Sequence, residues 1–467
     1  MVLDHAACCA AIQARDARFD GVFFTAVKST GVYCRPVCPA RTPKPVNCVF
    51  YETAAAAEAA GFRPCLRCRP ERSPAAHDGD GSLARRFLSD VQRDGLFGAS
   101  VEQAANRLGV SSRHLRRAVE RECGVTPVGM IRTTRLLFAR RLLTETRLPI
   151  SAIAFGSGFG SLARFNHCFR AHYGVAPSAF RVRASRPPAA SLRLTLAWRE
   201  PFAWDALVRY WSTRAIPGVE RVEGARYSRT VRYHGCRGWI SASPAKGAVE
   251  LTVSDSLAAC LLPVAGQVRA MFDLDANPHP IAAALGADPL LAPLVRRTPG
   301  LRVPGAFDGF ELALRAILGQ QVTVAAATTL AGRLIARFAE PAEGAPHGLT
   351  HYPVEPAALA EADPAEIARI GIPGARAATI HAVAERAASG ALDFHHPTAR
   401  TLSDLRAIRG IGQWTCDYLA MRLLRWPDAF PEGDLGLRKA IAPATPREAS
   451  ERWRPWRAYA ALYLWTA

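Results

Sequence analysis

The spacing of apolar residues changes twice along the chain. Between residues 83 and 183, apolar positions recur every three or four residues, which predicts an all-helical module. Residues 192 to 275 instead carry alternating or β-branched runs, at 230–233 and 248–253, which predict antiparallel strands. From about Asp288 the helical spacing returns. We therefore expect a multidomain protein that is mainly α-helical with α+β parts.

Proline, glycine and alanine mark the breaks between these regions. Two such stretches, 72–82 and 184–191, have the composition of linkers. A third, 338–356, carries four prolines and is typical of a loop inside a helical domain. We predict four domains, listed in chain order: a small cysteine-containing domain at 1–75, an all-helical domain at 82–184, an antiparallel-sheet α+β domain at 191–302, and an all-α domain at 303–467.

The charge balance points to a polyanionic partner. The 467 residues include 59 Lys and Arg against 40 Asp and Glu, a net charge of +19. Residues 1–185 hold 27 basic and 14 acidic side chains, which places +13 of that surplus at the front of the chain. Such an excess favours nucleic acid over a small acidic substrate.

The sequence also indicates the compartment. The longest apolar candidate, 312–332, is interrupted by an arginine and two glutamines, so we expect no membrane span. Asp4 and His5 stand where a secretory signal would carry positive charge. We expect a cytoplasmic protein, and in that compartment twelve cysteines favour metal binding or catalysis over disulfides.

Four cysteines form two close pairs. Three residues separate Cys34 from Cys38, and after a further 26 residues Cys65 and Cys68 follow with two residues between them. This spacing predicts a tetrahedral zinc site. A purely structural zinc, which stabilises a domain with a small core, is the alternative reading.

The residues around these cysteines resemble a known domain. The stretches TGVYCRPVCPAR (30–41) and AGFRPCLRCRP (60–70) are similar to the N-terminal zinc domain of Ada-type adaptive-response regulators. The resemblance implies that Cys34 is both a zinc ligand and the acceptor of a methyl group from a DNA methyl phosphotriester. Methylation removes one negative charge and should tighten DNA binding. The candidates for holding phosphate are Arg35, Arg63, Arg67 and Arg69.

Two copies of a helix-turn-helix pattern follow. VEQAANRLGVSSRHLRR (101–117) and ISAIAFGSGFGSLARFNHCFR (150–170) each combine small residues, a turn glycine and a serine before a basic helix. Together with YGVAPSAFR (173–181), they resemble an AraC-type DNA-binding domain. The predicted DNA contacts lie on the two second helices: Arg113, Arg116, Arg117 and Arg164, with Ser112, Ser161 and Asn166.

The C-terminal region contains a glycine hairpin between two helices. In LRAIRGIGQWTCDYLA (405–420), Gly410 and Gly412 can bring backbone N–H groups to a DNA phosphate, although an ordinary helix-to-helix turn would look the same. Asp434 follows in PEGDLGLR (431–438), where it could also be a helix N-cap.

Hairpin and aspartate together resemble the helix-hairpin-helix base-excision glycosylases, in particular their AlkA-type 3-methyladenine branch. FELALRAILGQQV (310–322) and ERWRPWRAYAALYLW (451–465) extend the likeness over about 192–467. The resemblance implies that Asp434 stabilises the sugar cation or orients water. It also implies that Trp414, Tyr418 and Trp465 form an aromatic pocket for a cationic flipped base.

Several departures from these families shape the expected chemistry. Trp414 stands where bifunctional relatives carry a lysine, so we expect hydrolysis without strand cleavage. Gln321 occupies the position of an apolar wedge into the duplex. Cys416 is alone in the last 200 residues, which excludes an iron–sulfur cluster. A Pro-Cys-His-Arg motif is absent, so we expect no O6-alkylguanine repair.

The sequence thus predicts a bacterial fusion of zinc sensor, transcription activator and monofunctional DNA glycosylase. Its expected cofactor is one Zn²⁺, and its expected partners are double-stranded DNA and RNA polymerase, with the chain acting as a monomer at the nucleoid. A regulator whose glycosylase half only reads damage is the first alternative. A glycosylase with a structural zinc is the second.

Overall fold

The computed structural model describes residues 4–73, 82–183 and 192–466. Of the two linkers predicted from composition, 184–191 lies outside these residues, and so do positions 74–81 of the other. The chain separates into two compact units. The first comprises 1–200, 245–269 and 274–277, and the second comprises 201–244, 270–273 and 278–467.

The first unit opens with a small four-stranded sheet in the order β3-β1-β2-β4. Strand β1 pairs antiparallel with β2 and β3, whereas β2 and β4 are parallel, with Tyr33 opposite Pro64. The parallel pair places the ends of β2 and β4 side by side, and both cysteine pairs begin there. The elements are α1 His5–Ala14, β1 Phe24–Val27, β2 Val32–Cys34, β3 Cys48–Tyr51, α2 Ala54–Ala59 and β4 Arg63–Pro64.

The next part of this unit is all-helical, as the sequence predicts. Ser111 and Ser161 cap the two basic helices, since each hydroxyl accepts a hydrogen bond from the third helical N–H, at 3.2 Å in both cases. Ser100 and Gln103 form a reciprocal capping box. The helices are α3 Leu83–Asp94, α4 Val101–Arg107, α5 Ser112–Cys123, α6 Pro127–Glu145, α7 Ile150–Gly156, α8 Leu162–Tyr173 and α9 Pro177–Arg183.

Antiparallel strands follow, which confirms the predicted α+β character. In the first unit β5 pairs with β9, and in the second unit β6, β7 and β8 form a meander. The stretch also contains helices, because residues 204–212 repeat apolar residues at helical rather than alternating spacing. The elements are β5 Leu192–Ala197, α10 Trp204–Ser212, β6 Glu220–Glu223, β7 Arg226–Tyr233, β8 Cys236–Ala245, β9 Ala248–Val253 and α11 Leu261–Met271.

The remainder of the second unit is helical, and its helices between positions 309 and 422 share an apolar core to which Ile317, Leu334, Ile380 and Leu419 contribute. Residues 339–355 carry no helix, as their prolines predict. The helices are α12 Pro278–Leu285, α13 Ala292–Arg297, α14 Gly309–Leu318, α15 Val324–Phe338, α16 Pro356–Ala360, α17 Pro364–Ala368, α18 Gly374–Ala388, α19 Ala399–Arg406, α20 Gln413–Arg422, α21 Leu435–Ile441, α22 Pro446–Ser450 and α23 Arg457–Trp465. Across the described ranges, no helix combines the length and apolarity needed to cross a bilayer.

Candidate zinc centre and base-excision pocket

The two cysteine pairs meet at one end of the small sheet. Strand β2 ends at Cys34, and the backbone N–H of Cys65 donates to the carbonyl of Tyr33 at 3.0 Å, so the second pair starts beside the first. The four Sγ atoms of Cys34, Cys38, Cys65 and Cys68 all lie within 4.8 Å of one another. The sequence prediction of one four-cysteine cluster is confirmed.

The cluster has the dimensions of a tetrahedral zinc site. Thiolates about 2.3 Å from a zinc ion lie about 3.8 Å from each other, which agrees with the observed packing of the sulfurs. Hydrogen bonding to Cys38, then to Cys65 and Cys68, together with burial, raises the pKa of the Cys34 thiol. A divalent cation is what such a set needs to carry four thiolates at once.

Arg35 holds the metal-binding loop from inside. Its backbone N–H donates to Cys68 Sγ at 3.3 Å, and its guanidinium donates to the Cys68 carbonyl at 3.2 Å. The same guanidinium forms a two-pronged ion pair with Asp20, with Nε 2.8 Å from one carboxylate oxygen. Only 15% of the Arg35 side chain is exposed, so the structure assigns it a supporting contact. The predicted contact of Arg35 with DNA stays a prediction. Arg67, which lies between Cys65 and Cys68 in the sequence, is exposed to solvent.

The two second helices present their basic residues to solvent. Arg113, Arg116 and Arg117 on α5 are exposed, and so is Arg164 on α8. Arg116 pairs with Glu120 one turn later, at 3.0 Å. The opposite faces carry the buried residues Leu115 and Phe165. This amphipathic arrangement leaves the predicted contact residues accessible to DNA.

In the second unit, Asp434 connects two elements of the predicted pocket. One carboxylate oxygen accepts hydrogen bonds from the backbone N–H of Leu437 and from the indole N–H of Trp465, both at 3.0 Å. The other accepts from the indole N–H of Trp414 at 3.3 Å. Asp434 is therefore the N-cap of α21 and, at the same time, the centre of the aromatic cluster.

The three aromatic residues predicted for the base pocket lie close to Asp434 and to one another. Trp414 and Tyr418, one turn apart on α20, stack with ring centroids 5.3 Å apart and planes 14° from parallel. Both rings and Trp465 are only partly buried. A planar, cationic base can stack on such electron-rich faces. The structure thus brings together Asp434, Trp414, Tyr418 and Trp465.

Sequence reasoning missed two residues behind this pocket. The Tyr418 hydroxyl lies 3.3 Å from that of Tyr210 and accepts a hydrogen bond from Arg422. Burial alone would raise the pKa of Tyr418, but the charge of Arg422 and the hydrogen bonds with Tyr210 and Arg422 together outweigh burial and lower that pKa. Burial raises the pKa of Tyr210 to about 12. Tyr210 stands 208 positions before Tyr418, so no local pattern could have revealed it.

A hydrogen bond joins the glycine hairpin to the segment that contains Gln320 and Gln321. Gly410 has φ +94°, and a Cβ there would lie 2.2 Å from Thr379 Oγ1, so only glycine fits. Gly412 caps α20. The side-chain amide of Gln320 donates to the Gly410 carbonyl at 3.0 Å. The next residue, Gln321, is exposed with φ +55°. The sequence marked Gln321 but not Gln320, although the two are adjacent.

Comparisons with known proteins agree with this geometry. Four family models match successive parts of the chain: the metal binding domain of Ada at 7–71, a helix-turn-helix domain at 104–183, the AlkA N-terminal domain at 193–308, and the HhH-GPD superfamily of base excision DNA repair proteins at 314–446. The Ada domain and the four-cysteine cluster together support a single zinc ion.

Some relatives match only the C-terminal part of the chain, and others match almost its whole length. The DNA-3-methyladenine glycosylase 2 of Escherichia coli strain K12 is 35% identical over 280 residues, or 58% of this chain and 96% of that protein. A solved 3-methyladenine DNA glycosylase from Archaeoglobus fulgidus shares the fold at TM-score 0.50 and 20% identity, covering 58% of this chain and 96% of that one. The probable bifunctional transcriptional activator/DNA repair enzyme AlkA of Mycobacterium tuberculosis strain CDC 1551 / Oshkosh is 40% identical over 486 residues, which cover 99% of this chain and 96% of that protein. The chain therefore belongs to the family of bifunctional transcriptional activator/DNA repair enzymes of the AlkA type.

Proposed function

We propose that this protein removes two kinds of alkylation damage from DNA and reports the damage to transcription. The observation that carries the proposal is that one chain holds both a four-sulfur centre containing Cys34 and an aspartate fixed by two tryptophans at the edge of an aromatic stack. The first suits methyl transfer to a thiolate. The second suits excision of a cationic base.

At the four-sulfur centre, Cys34 is the methyl acceptor. A bound zinc ion would keep the thiol deprotonated at neutral pH. The Sγ thiolate attacks the methyl carbon of a methyl phosphotriester, an S–C bond forms, and the C–O bond breaks. The electron pair stays on the oxygen, so DNA leaves as an ordinary phosphodiester anion. The thioether product lacks the negative charge of the thiolate, and the methylated protein therefore binds DNA more tightly.

In the pocket, Trp414 and Tyr418 stack on an alkylated purine such as 3-methyladenine after it leaves the duplex. Such a base is cationic and departs as a neutral molecule when the N-glycosidic bond breaks. The Asp434 carboxylate stabilises the positive charge that develops on the sugar, and its position allows it to orient the attacking water. Lys439 is the only lysine after position 246, and the hairpin has none, so the reaction is hydrolysis.

We further propose that four domains divide the work and that promoter DNA and RNA polymerase are the partners. The boundaries are 1–75, 82–184, 191–302 and 303–467, with the exposed arginines of α5 and α8 binding promoter DNA. Activation of transcription requires contact with RNA polymerase. Two helix-turn-helix units in one chain let a monomer occupy an operator, in the bacterial cytoplasm at the nucleoid.

Replacement of Asp434 by Asn tests the glycosylase assignment. Asparagine caps helices as well as aspartate does, so α21 is kept, but the negative charge in the pocket and one of the two oxygens that accept the indole N–H groups are lost. We expect release of 3-methyladenine from methylated duplex DNA to fall by at least about a hundredfold, while binding to undamaged duplex is unchanged. Released base is measured by chromatography.

The matched control is Asp308→Asn, because Asp308 caps α14 in the same unit through a 2.9 Å bond to the Glu311 N–H. That variant should excise at the wild-type rate. Excision that survives in Asp434→Asn would remove Asp434 from catalysis. A wild type that binds methylated DNA without turnover would leave a regulator that reads damage.

Replacement of Cys34 by Ser tests the acceptor assignment. We expect the methyl adduct, followed by intact mass after incubation with methyl-phosphotriester DNA, to disappear, while base release by the second unit continues. Cys168→Ser is the control, since Cys168 is a half-buried free thiol on α8 outside the cluster. An adduct that persists in Cys34→Ser would leave the zinc with a structural role alone.

A further inference from the structure

A large cleft opens beside Cys34. Its volume is about 1490 Å³. The residues around it come from the zinc domain, from helices α6, α8 and α9, and from strands β5 and β9, all in the first unit. Among its lining residues, eight are Lys or Arg and only two are Asp or Glu. A cleft with this charge attracts a polyanion.

Three of the eight basic residues are already engaged inside the protein. Arg35 pairs with Asp20, and both Arg69 and Arg140 pair with Glu71. The other five line the cleft with exposed side chains. These exposed residues are Arg41, Lys44, Arg63, Arg67 and Arg193.

Arg193 differs from the rest because it belongs to β5, the first strand of the region that matches the AlkA N-terminal domain. Leu192, Leu194 and Leu196 are buried, so the alternation of the strand turns Arg193 and Thr195 outward, where both line the cleft. Strand β5 is also anchored there, because Arg141 of α6 donates to the Thr195 carbonyl at 2.6 Å.

One of the two acidic residues in the cleft lies beside this arginine. Glu250 of β9 is opposite Thr195 in the strand register, and its carboxylate is 3.7 Å from the Arg193 guanidinium. Both side chains are about half exposed, at 55% for Arg193 and 47% for Glu250. An ion pair this exposed contributes little to stability. Its two charges nevertheless face the same solvent space as the Cys34 site.

We propose that the methyl-acceptor site is composite, with Arg193 of the glycosylase half binding the DNA backbone that Cys34 demethylates. The proposal rests on the function assigned to Cys34 above. In it, Arg193 neutralises a backbone phosphate near the triester, and Glu250 limits the attraction. Strand β5 thereby gives the zinc domain a positively charged wall that comes from another domain.

Neutral variants at the two ends of the ion pair provide the test. Arg193→Gln and Glu250→Gln are made in the full-length protein, and the second-order rate of methyl transfer to methyl-phosphotriester DNA is measured by mass. A purely structural pair would make both variants change in the same direction. The composite site makes them move in opposite directions, with Arg193→Gln about two- to threefold slower and Glu250→Gln about two- to threefold faster at low salt. Both effects should shrink as salt is added.

A second exposed ion pair, which lies on strand β6, offers a matched control. Arg221 and Glu223 on β6 form an exposed ion pair at 2.6 Å, with 50% and 44% of their side chains accessible, and neither lines the cleft. Arg221→Gln and Glu223→Gln should leave the transfer rate unchanged, and Arg193→Lys should restore most of it. Equal or same-direction effects at Arg193 and Glu250, with Cys34 still methylated, would overturn the composite site alone. A wild type that acquires no methyl group would overturn the function on which it rests.

Discussion

The carboxylate of Asp434 has two uses at once. It caps α21 through the Leu437 N–H, and it accepts the indole N–H groups of Trp414 and Trp465. The sequence offered the cap and the catalytic group as alternatives, because an aspartate just before a leucine suits a helix start, whereas an aspartate after the glycine hairpin fits the glycosylase pattern. The structure shows that they are compatible, since a carboxylate has enough lone pairs for three donors. The cap itself fixes the carboxylate at the pocket.

Glu311 gives the second unit a pH-dependent stability. It shares the buried Arg229 with Glu220, at 2.9 Å and 3.5 Å respectively. Burial raises the pKa of Glu311 to about 7, in spite of the opposing charge of Arg229. The folded state therefore holds its proton at a pH where the unfolded chain has lost it. The stability from this group is fully present below about pH 4.5 and is lost as the pH rises through 7.

Replacement of Glu311 by Gln should remove that dependence, because glutamine does not titrate. Relative to the variant, the wild type should lose about 1–3 kcal/mol of unfolding free energy between pH 5 and pH 8. Calorimetric melts of both proteins across that range measure the difference. Parallel curves for wild type and variant would show that Glu311 titrates as an ordinary glutamate.

At the scale of elements, the hairpin between α19 and α20 uses its two glycines differently. Gly410 is required by the fold, because its positive φ and the close approach of Thr379 leave no place for a Cβ. Gly412 has an ordinary φ of −92°, and the nearest atom to a Cβ there is 3.9 Å away. The sequence could identify the hairpin but not divide these roles, since the contact with Thr379 is made across 31 positions of chain.

Replacement of Gly412 by Ala should separate folding from DNA binding. The free protein has room for the methyl group, so the thermal midpoint should change little. A phosphate that approaches the hairpin backbone would meet it, and duplex affinity should fall roughly tenfold in a filter-binding or anisotropy titration.

Gly374→Ala is the corresponding control, because Gly374 begins α18 and a Cβ there has no atom within 4 Å. It should bind DNA as the wild type does. Full affinity in Gly412→Ala would mean that the hairpin is a turn with no phosphate contact.

At the scale of the whole molecule, the sequence predicts the classes of module well and the contacts between them poorly. The cysteine spacing, the serine caps and the strand patterns of β7 and β9 are local signals, and the corresponding elements are present. Glu58 is an example of a contact that the sequence does not predict. It accepts from Tyr33 at 2.9 Å within the zinc domain and from Thr133 at 2.8 Å on α6. A bond that joins residues 75 positions apart leaves no periodic trace in the sequence.

We conclude that one polypeptide performs both methyl transfer and base excision. The most direct test incubates the full-length protein with methylated duplex DNA and takes, from the same reaction, the intact mass of the protein and the free bases in solution. We expect a single methyl adduct that maps to Cys34, together with free 3-methyladenine. Released base without an adduct, or an adduct without released base, would show that the chain has only one of the two activities.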